Sequence, residues 1–132
     1  MRLCKGAYNE PASVAFPDKQ DVDTNYLKCM RVLLEHGHYP VIATHDVALV
    51  SEAKRFARER GIDQTRYEFQ MLYGMRCDLQ EQLVREGYRM RVYVPFGTQW
   101  YPYLMRRLAE RPANVAFITG NMARELIGGR RR

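Results

Sequence analysis

The sequence has few cysteines and no long apolar stretch, and we expect no secretory leader. Its 132 residues include three scattered cysteines, Cys4, Cys29 and Cys77, none of them in a CxxC pair. An odd, scattered set makes a poor disulfide framework, so we expect three reduced thiols with structural roles. No apolar run approaches the roughly 20 residues that span a bilayer, and no apolar region follows the charged N-terminus. We therefore expect a cytoplasmic protein, or one held at the inner face of the membrane through a partner.

Common catalytic and metal-binding signatures are also missing. No group of His, Cys, Asp and Glu has ligand spacing, so we expect no metal. No GxGxxG or Walker pattern is present, and Ser13 and Ser51 lack the context of a catalytic triad. His36 and His38 fall at a predicted helix end, where we expect surface or packing roles.

The chain is basic, with a formal net charge of +6, and half of that excess comes from Arg130, Arg131 and Arg132 after Gly128 and Gly129. We predict one domain over residues 1–127 and a disordered arginine tail over residues 128–132. No basic stripe interleaves with aromatic residues as a groove for single-stranded nucleic acid requires, so we expect no nucleic-acid partner.

Short apolar runs alternate with longer segments of helical periodicity. The predicted strands are residues 2–8 (with a turn at Gly6), 39–44, 67–72 and 90–94. The predicted helices are residues 22–35, 46–60, 78–86 and 98–110, followed by a short extended piece at 115–118 and a helical turn at 122–126. Asp21 or Asp23, Asp46 and Asp78 are the expected N-caps of the first three helices, and Gly37, Gly61 and Gly87 end them.

The helical spacing also predicts which side chains face the core. The expected inward residues are Tyr26, Met30, Val32, Leu33 and Leu34 in the first helix, Val50, Ala53 and Phe56 in the second, and Leu79, Leu83 and Val84 in the third. The expected water-facing residues of the second helix are Lys54, Arg55, Arg58 and Glu59.

Four strand-then-helix units with short connections predict an α/β fold with a parallel sheet. Each unit has about 30 residues, which matches one βα unit of a TIM barrel, and eight such units close a barrel. An open, doubly wound sheet has the same local pattern, and composition does not decide between the two.

Polar residues cluster where the predicted strands end, at residues 5–8, 44–46, 70–74 and 93–98. Ligand sites in parallel α/β folds form at the carboxyl ends of strands, so these four clusters are expected to share one mouth. A single histidine after a strand, such as His45, is more often a capping or packing group than a catalytic or cofactor-binding residue.

The fourth helix carries the adjacent arginines Arg106 and Arg107, preceded by Tyr93, Tyr101 and Tyr103. Arginine binds carboxylates bidentately and keeps its charge, so paired arginines beside aromatic walls suit a small amphipathic carboxylate such as an amino acid. A solvated helix face balanced by Glu110, with tyrosines in ordinary packing, is the alternative.

Several segments, in this order, resemble motifs of the proline dehydrogenase family. Residues 2–8 (RLCKGAY) resemble its R-L-x-K-G-A-Y segment, and residues 43–46 (ATHD) its A-T-H-[ND] segment. Residues 67–75 (YEFQMLYGM) are similar to [YF]-E-F-Q-x-L-x-G-M, while 93–98 (YVPFGT) and 103–110 (YLMRRLAE) are similar to the closing strand and the substrate helix. Together the motifs cover nearly the whole chain.

The resemblance implies a (βα)8 TIM-type barrel that carries FAD, with this chain supplying the C-terminal half, four βα units. It implies oxidation of L-proline to 1-pyrroline-5-carboxylate by hydride transfer to flavin N5, in proline catabolism, with a quinone or another electron acceptor as partner.

The resemblance also assigns roles to residues. Arg2, near flavin N5, and Tyr8, which closes near the site, would be catalytic. The implied substrate-binding residues are Arg106 and Arg107 for the carboxylate, Leu72, Tyr93 and Tyr103 for the ring, and Glu110, which pairs across the mouth. The implied FAD contacts are Arg2, Lys5, Gly6, Ala7, Thr44, His45 and Gln70.

The sequence departs from the family pattern in two respects. The first four barrel strands are absent, and Asn9 stands where some relatives have a large aromatic residue. We therefore expect a fragment that alone binds FAD weakly or not at all and has no useful turnover, with a complementary N-terminal half-barrel chain or self-association as the means of closure. The alternatives are a non-catalytic basic α/β binding module and an amino-acid-binding remnant without redox chemistry.

Overall fold

A computed structural model of the chain describes residues 1–5 and 10–98. The strands are β1 (Arg2–Cys4), β2 (Val41–Ala43), β3 (Glu68–Leu72) and β4 (Met90–Tyr93). The helices are α1 (Lys19–His36), α2 (Val47–Glu59) and α3 (Cys77–Arg85), and a short 3-10 turn (Gln64–Arg66) precedes β3. Each strand lies within its predicted range but is shorter.

The four strands form one parallel sheet in the order β1-β2-β3-β4, so neighbours in sequence are neighbours in space. One row of paired residues crosses the sheet through Leu3, Ile42, Phe69 and Met90. The predicted α/β fold with a parallel sheet is therefore confirmed for the described part of the chain.

The hydrophobic core lies between one face of the sheet and the helices. Ile42, Phe69 and Met71 are buried there. The core includes an aromatic cluster around Phe69. The Phe69 ring packs edge-on against the Tyr67 ring, with centroids 5.7 Å apart, and against the Tyr88 ring, with centroids 5.5 Å apart. The buried residues that the helices contribute are Tyr26, Met30, Leu34, Leu49, Val50, Ala53, Phe56, Ala57, Leu79 and Leu83.

Helix α1 begins earlier than predicted. Asp18 occupies the N-cap position without a side-chain capping bond, so the capping roles predicted for Asp21 and Asp23 are wrong. The inward prediction for Val32 is also wrong, because that side chain is exposed. Val32 lies two positions from Met30, a rotation of about 200° that places it away from the buried stripe. Gly37 ends the helix, as predicted.

Helix α2 begins as predicted. The Asp46 side chain accepts a hydrogen bond of 3.0 Å from the Ala48 N–H, which satisfies one of the free donors of the first turn. The exposure predicted for Lys54 is wrong, because its ammonium forms an ion pair with Glu86 and lies over the Tyr88 ring. The aliphatic stem of lysine can cover apolar surface while its charge finds a partner.

The N-cap of helix α3 lies two residues earlier than the sequence suggested. Arg76 is its N-cap, and Asp78, predicted as the cap, lies within the first turn. Leu79 and Leu83 are buried as predicted, but Val84 is exposed, so its inward prediction is wrong. Val84 follows Leu83 by 100° around the helix, which moves it off the narrow buried stripe.

Several predictions fall on residues that the structure does not describe. They are the turn at Gly6, the helix at 98–110, the extended piece at 115–118, the turn at 122–126 and the tail at 128–132. Within residues 1–5 and 10–98, no helix combines the length and apolar character that crossing a bilayer requires.

Candidate functional site

The alternation of side chains along β3 separates core residues from site residues. Phe69 and Met71 point into the core, so Glu68, Gln70 and Leu72 lie on the opposite face of the sheet. The register places Gln70 beside Ala43 and Leu72 beside Tyr93. We call this opposite face, with Arg2, Glu68, Gln70, Leu72, Arg91 and Tyr93, the inner face.

The inner face is curved so that its two outer strands approach each other. The Arg2 guanidinium lies over the Tyr93 ring, 5.6 Å from its centroid. In a flat sheet, three interstrand spacings of about 4.8 Å and a register offset of four residues, about 13 Å along the strands, would separate the Cα atoms of Arg2 and Tyr93 by about 20 Å, more than the two side chains can span. The contact, worth roughly 0.5–1 kcal/mol at an exposed site, therefore requires a sheet that curls toward this face.

Lys5 ties the end of β1 to two helices. Its side chain is 13% exposed, and its ammonium forms ion pairs with Asp23 of α1 and, at 3.0 Å, with Asp46 at the start of α2. Partial burial by itself raises the pKa of Asp46, but the bonds and charge of Lys5 and the Ala48 N–H outweigh it and leave that pKa below its ordinary value. The Lys5 ammonium is thus engaged by protein carboxylates on the helical side.

Thr44 and His45 form the connection between β2 and α2. The Asp46 N–H donates to Thr44 Oγ1 at 3.1 Å, which closes a tight turn around His45. The Leu72 N–H donates to His45 Nε2 at 2.9 Å. Glu68, on the same edge of β3, gives its N–H to the Pro40 carbonyl at 3.2 Å. The His45 ring therefore accepts the Leu72 N–H in place of the main-chain carbonyl that would continue the parallel pairing of β2 and β3.

The hydrogen bond to Leu72 restricts the chemistry of the His45 ring. A ring nitrogen that accepts a hydrogen bond carries no proton, so the neutral ring holds its proton on Nδ1. Burial lowers the pKa of His45 below its ordinary value, and the Arg76 guanidinium lowers it further. The neutral ring is therefore the favoured state at neutral pH.

Arg76 joins the start of α3 to the same connection in a strained conformation. Its φ of 54° is the one left-handed value at a non-glycine residue in the described part of the chain, and such strain costs on the order of 1 kcal/mol or more. The guanidinium grips Asp78 through Nε at 3.0 Å and Nη2 at 2.9 Å, and Nη1 reaches the His45 carbonyl at 3.5 Å. No compositional pattern in the sequence signals this residue.

Gln70 carries an amide without a protein partner. The residue is 8% exposed, yet its side chain makes no hydrogen bond with any residue in the described ranges. Most buried side-chain amides in proteins are bonded. An amide on the inner face that no described residue bonds is the type of group that a polar ligand can engage.

Glu68 forms an ionic network that the sequence did not reveal. It is buried, and two nitrogens of Arg91 approach it, Nε to Oε1 at 2.5 Å and Nη2 to Oε2 at 3.1 Å. The Tyr39 hydroxyl donates to Oε2 at 3.2 Å and accepts from Arg89 Nη1, also at 3.2 Å. The alternation of β3 could have indicated an inner-face carboxylate, but not its partners.

The structure thus brings several predicted residues to one end of the sheet. Lys5, Thr44 and His45 lie at or just after the carboxyl ends of β1 and β2, and Leu72 and Tyr93 end β3 and β4. Gly6, Ala7, Tyr8, Tyr103, Arg106, Arg107 and Glu110 lie outside the described residues. Within the described ranges, no group of three or more His, Cys, Asp and Glu could hold a metal ion.

This geometry defines an α/β protein whose polar site lies at the carboxyl edge of a curved parallel sheet. The sequence profile described as "Proline dehydrogenase" matches residues 1–120. The chain is 55% identical over 125 residues to "Proline dehydrogenase 2" of Bacillus subtilis strain 168, an alignment of 95% of this chain and 41% of the relative. It is 52% identical over 122 residues to "Proline dehydrogenase" of Deinococcus radiodurans, with 92% and 39% covered.

A solved structure agrees. The crystal structure of proline utilization A (PutA) from Bdellovibrio bacteriovorus, inactivated by N-propargylglycine, superimposes with a TM-score of 0.74 at 35% identity over 81% of this chain and 13% of that chain. The chain belongs to the proline dehydrogenase family. It spans about two fifths of the length of the curated relatives that it matches.

Proposed function

We propose that this chain provides the C-terminal half of an FAD-dependent proline dehydrogenase, four βα units of a (βα)8 barrel. The reaction is the oxidation of L-proline to 1-pyrroline-5-carboxylate in proline catabolism. A quinone or another acceptor takes the electrons, and the enzyme works in the cytoplasm or at the inner face of the membrane. Four further βα units, from a complementary chain or another source, close the barrel.

The observation that carries the proposal is the convergence of the motif residues on one curved edge. A curl strong enough to bring Arg2 to Tyr93 across two intervening strands is expected of strands that belong to a barrel. Family membership supplies the reaction, and the placement of Thr44, His45 and Gln70 near that edge supplies a site.

The residues present fit a flavin on the inner face. Gln70 offers an amide that bonds no described residue, and His45 offers a neutral ring. Lys5 fits differently from expectation, because carboxylates engage its ammonium; we propose that its backbone, with Gly6 and Ala7, makes the flavin contact. The flavin supplies hydride acceptance at N5.

The protein residues orient the substrate and set the local charge. Arg106 and Arg107 hold the proline carboxylate, Leu72, Tyr93 and Tyr103 line the ring, Tyr8 closes near the site, and Glu110 pairs with a basic group across the mouth. Arg2 places a positive charge at the inner face, where it favours a reduced, electron-rich ring. Holding the carboxylate by two fixed charges determines which carbon faces the flavin.

The test uses a chimera in which the part of Bacillus subtilis "Proline dehydrogenase 2" that precedes its match is joined to this chain. We expect bound flavin, visible by absorbance, and proline-dependent reduction of an artificial electron acceptor. The Arg106→Met and Arg107→Met chimeras should lose about 2–4 kcal/mol of proline binding each, because a desolvated carboxylate loses a charged partner. The unfused chain is the control, with little flavin and little turnover expected.

Three results would contradict the proposal. A folded chimera without flavin would exclude the cofactor assignment. Flavin without proline-dependent turnover would exclude the proposed oxidation of proline. An unchanged proline KM in both arginine variants would exclude the carboxylate contact.

A further inference from the structure

We propose that His45 acts as a neutral hydrogen-bond donor through Nδ1, held in that tautomer by the Leu72 N–H, and that it couples the cofactor edge to the substrate wall. The part of this inference that concerns cofactor and substrate rests on the proposed function. The tautomer itself rests only on the contacts of the described residues.

The first argument is the hydrogen bond at Nε2. The donor is a main-chain N–H, which cannot reverse its polarity, so Nε2 can only accept. Protonation of Nε2 would break this bond and set two hydrogens against each other. The proton of the neutral ring therefore resides on Nδ1, which has no hydrogen-bond partner within residues 1–5 and 10–98.

The second argument is the fixation of the His45 backbone. The tight turn from Asp46 to Thr44 Oγ1 lies on one side of the residue, and Arg76 Nη1 reaches the His45 carbonyl from α3. Arg76 adopts a left-handed conformation at that position, and its guanidinium also bonds Asp78. We assign Arg76 as a positioning residue for the β2–α2 connection.

The charged groups around His45 agree with a neutral ring. Arg76 is the cation that faces it from α3, and Asp78 compensates part of that charge. Asp46, the adjacent residue, directs its carboxylate to Lys5 and the first turn of α2, and Arg2 contacts Tyr93 on β4. Among the described residues, no carboxylate is bonded to the ring to stabilise a charged imidazolium.

The functional consequence follows from the identity of the donor. Leu72 is proposed to line the substrate ring, and its N–H is the group that holds His45. This hydrogen bond therefore fixes the β2–α2 connection against the residue proposed to line the substrate. His45 is not a general base in this arrangement, because its acceptor nitrogen is occupied.

The test is nitrogen-15 NMR of the histidine side chains in the full-length, flavin-free chain. We expect a pyridine-type shift for Nε2 and a pyrrole-type shift for Nδ1 of His45 at neutral pH, a preference of roughly fivefold or more, the bias that one typical net hydrogen bond gives. His36 and His38, both exposed, supply the internal contrast, because no main-chain N–H in the described ranges donates to either ring. A proton on Nε2, or a fully protonated ring at neutral pH, would overturn the proposal.

Two variants extend the test. His45→Asn should remove the slow hydrogen exchange of the Leu72 amide, and Arg76→Gly should weaken the tautomer preference although it relieves the left-handed strain. Arg85→Gln, an exposed arginine of the same helix, is the matched control and should change neither signal. An unaltered His45 spectrum in Arg76→Gly would refute the positioning role, and the wild-type spectrum decides the tautomer even if a variant does not fold. Because no flavin or proline is present, failure here is distinct from failure of the dehydrogenase assignment.

Discussion

The sequence predicted where several site residues lie, but not which residues they bond. The polar residues at strand ends were predictable, because strand ends in a parallel sheet share one edge. The carboxylates that bind Lys5 come from positions 23 and 46, far from it along the chain. No spacing rule predicts such a pairing, since it depends on how α1 and α2 pack beside β1.

Gln70 gives a prediction in which stability and ligand binding change differently. Gln70→Leu removes an amide with no described protein partner, so the free energy of unfolding of the chain should stay constant or rise by up to about 1 kcal/mol. In the flavin-binding chimera the same change should weaken flavin binding by roughly 5- to 30-fold, the equivalent of about 1–2 kcal/mol. Urea denaturation and flavin titration measure the two effects.

Gln80 is the matched control for that experiment. Its Nε2 donates to the carbonyls of Met75 at 2.7 Å and Leu72 at 3.3 Å, so Gln80→Leu should lower the free energy of unfolding by about 1 kcal/mol. Equal losses of stability in Gln70→Leu and Gln80→Leu would show that Gln70 has a structural partner after all.

At the scale of elements, the sequence pattern predicted every described strand and α-helix, and the start of α2, but not how α1 and α3 begin. Three aspartates lie within residues 18–23, and the sequence does not tell which of them starts α1. The start of α3 at Arg76 depends on a left-handed backbone conformation, which composition does not signal when the residue is not glycine. The predictions of core-facing residues were wrong for Val32 and Val84, which lie beside the buried stripe of their helices and are exposed.

Adjacent residues of α3 provide a test of its packing. Leu83 is 0% exposed and Val84 is 60% exposed. Leu83→Ala should lower the free energy of unfolding by about 2–4 kcal/mol, because it removes buried methyl groups and leaves a cavity. Val84→Ala should change it by no more than about 0.5 kcal/mol. Chemical denaturation of both variants measures the difference, and similar losses would mean that α3 is rotated from the orientation described.

At the scale of the whole molecule, the parallel sheet and the shared mouth followed from the sequence, whereas the curvature did not. Alternating strands and helices are common to barrels and to open sheets. The curl becomes visible only when side chains of β1 and β4 meet. The family motifs carried the expectation of a barrel, and local patterns alone left it undecided.

The distribution of charges predicts a chain that loses stability in acid. Bonds from Arg55 and Arg31 lower the pKa of Glu52 to about 2, and bonds from Lys19 and Lys5 lower the pKa of Asp23. The unfolded chain binds these protons near pH 4, so the stability from such pairs is present above that pH and is lost as pH falls through the lower folded values. Burial lowers the pKa of His45, so an earlier loss begins near pH 6.5, where the unfolded imidazole binds a proton.

Urea midpoints measured from pH 7 to pH 2 should therefore fall in two steps, one below about pH 6.5 and one below about pH 4.5. Salt at about 1 M should flatten the lower step, because the surface ion pairs are screened. Glu52→Gln should reduce the fall in urea midpoint below about pH 4.5, while His45→Asn should remove the fall that begins below about pH 6.5. A midpoint that is constant between pH 5 and pH 7 in the unmodified chain would contradict the assignment to His45.

The alternation in β3 has a consequence for which changes in the gene this protein can tolerate. Core-facing and inner-face residues alternate along the five residues of β3. A substitution at Gln70 therefore alters the inner face and leaves the packing of Phe69 intact. Losing or gaining a single codon within the strand would exchange the two sets at once. Within β3, substitutions should therefore be tolerated far more often than insertions or deletions. Insertions are expected instead in the loop around Gly61 to Gln64, where side chains do not alternate between two faces of a sheet.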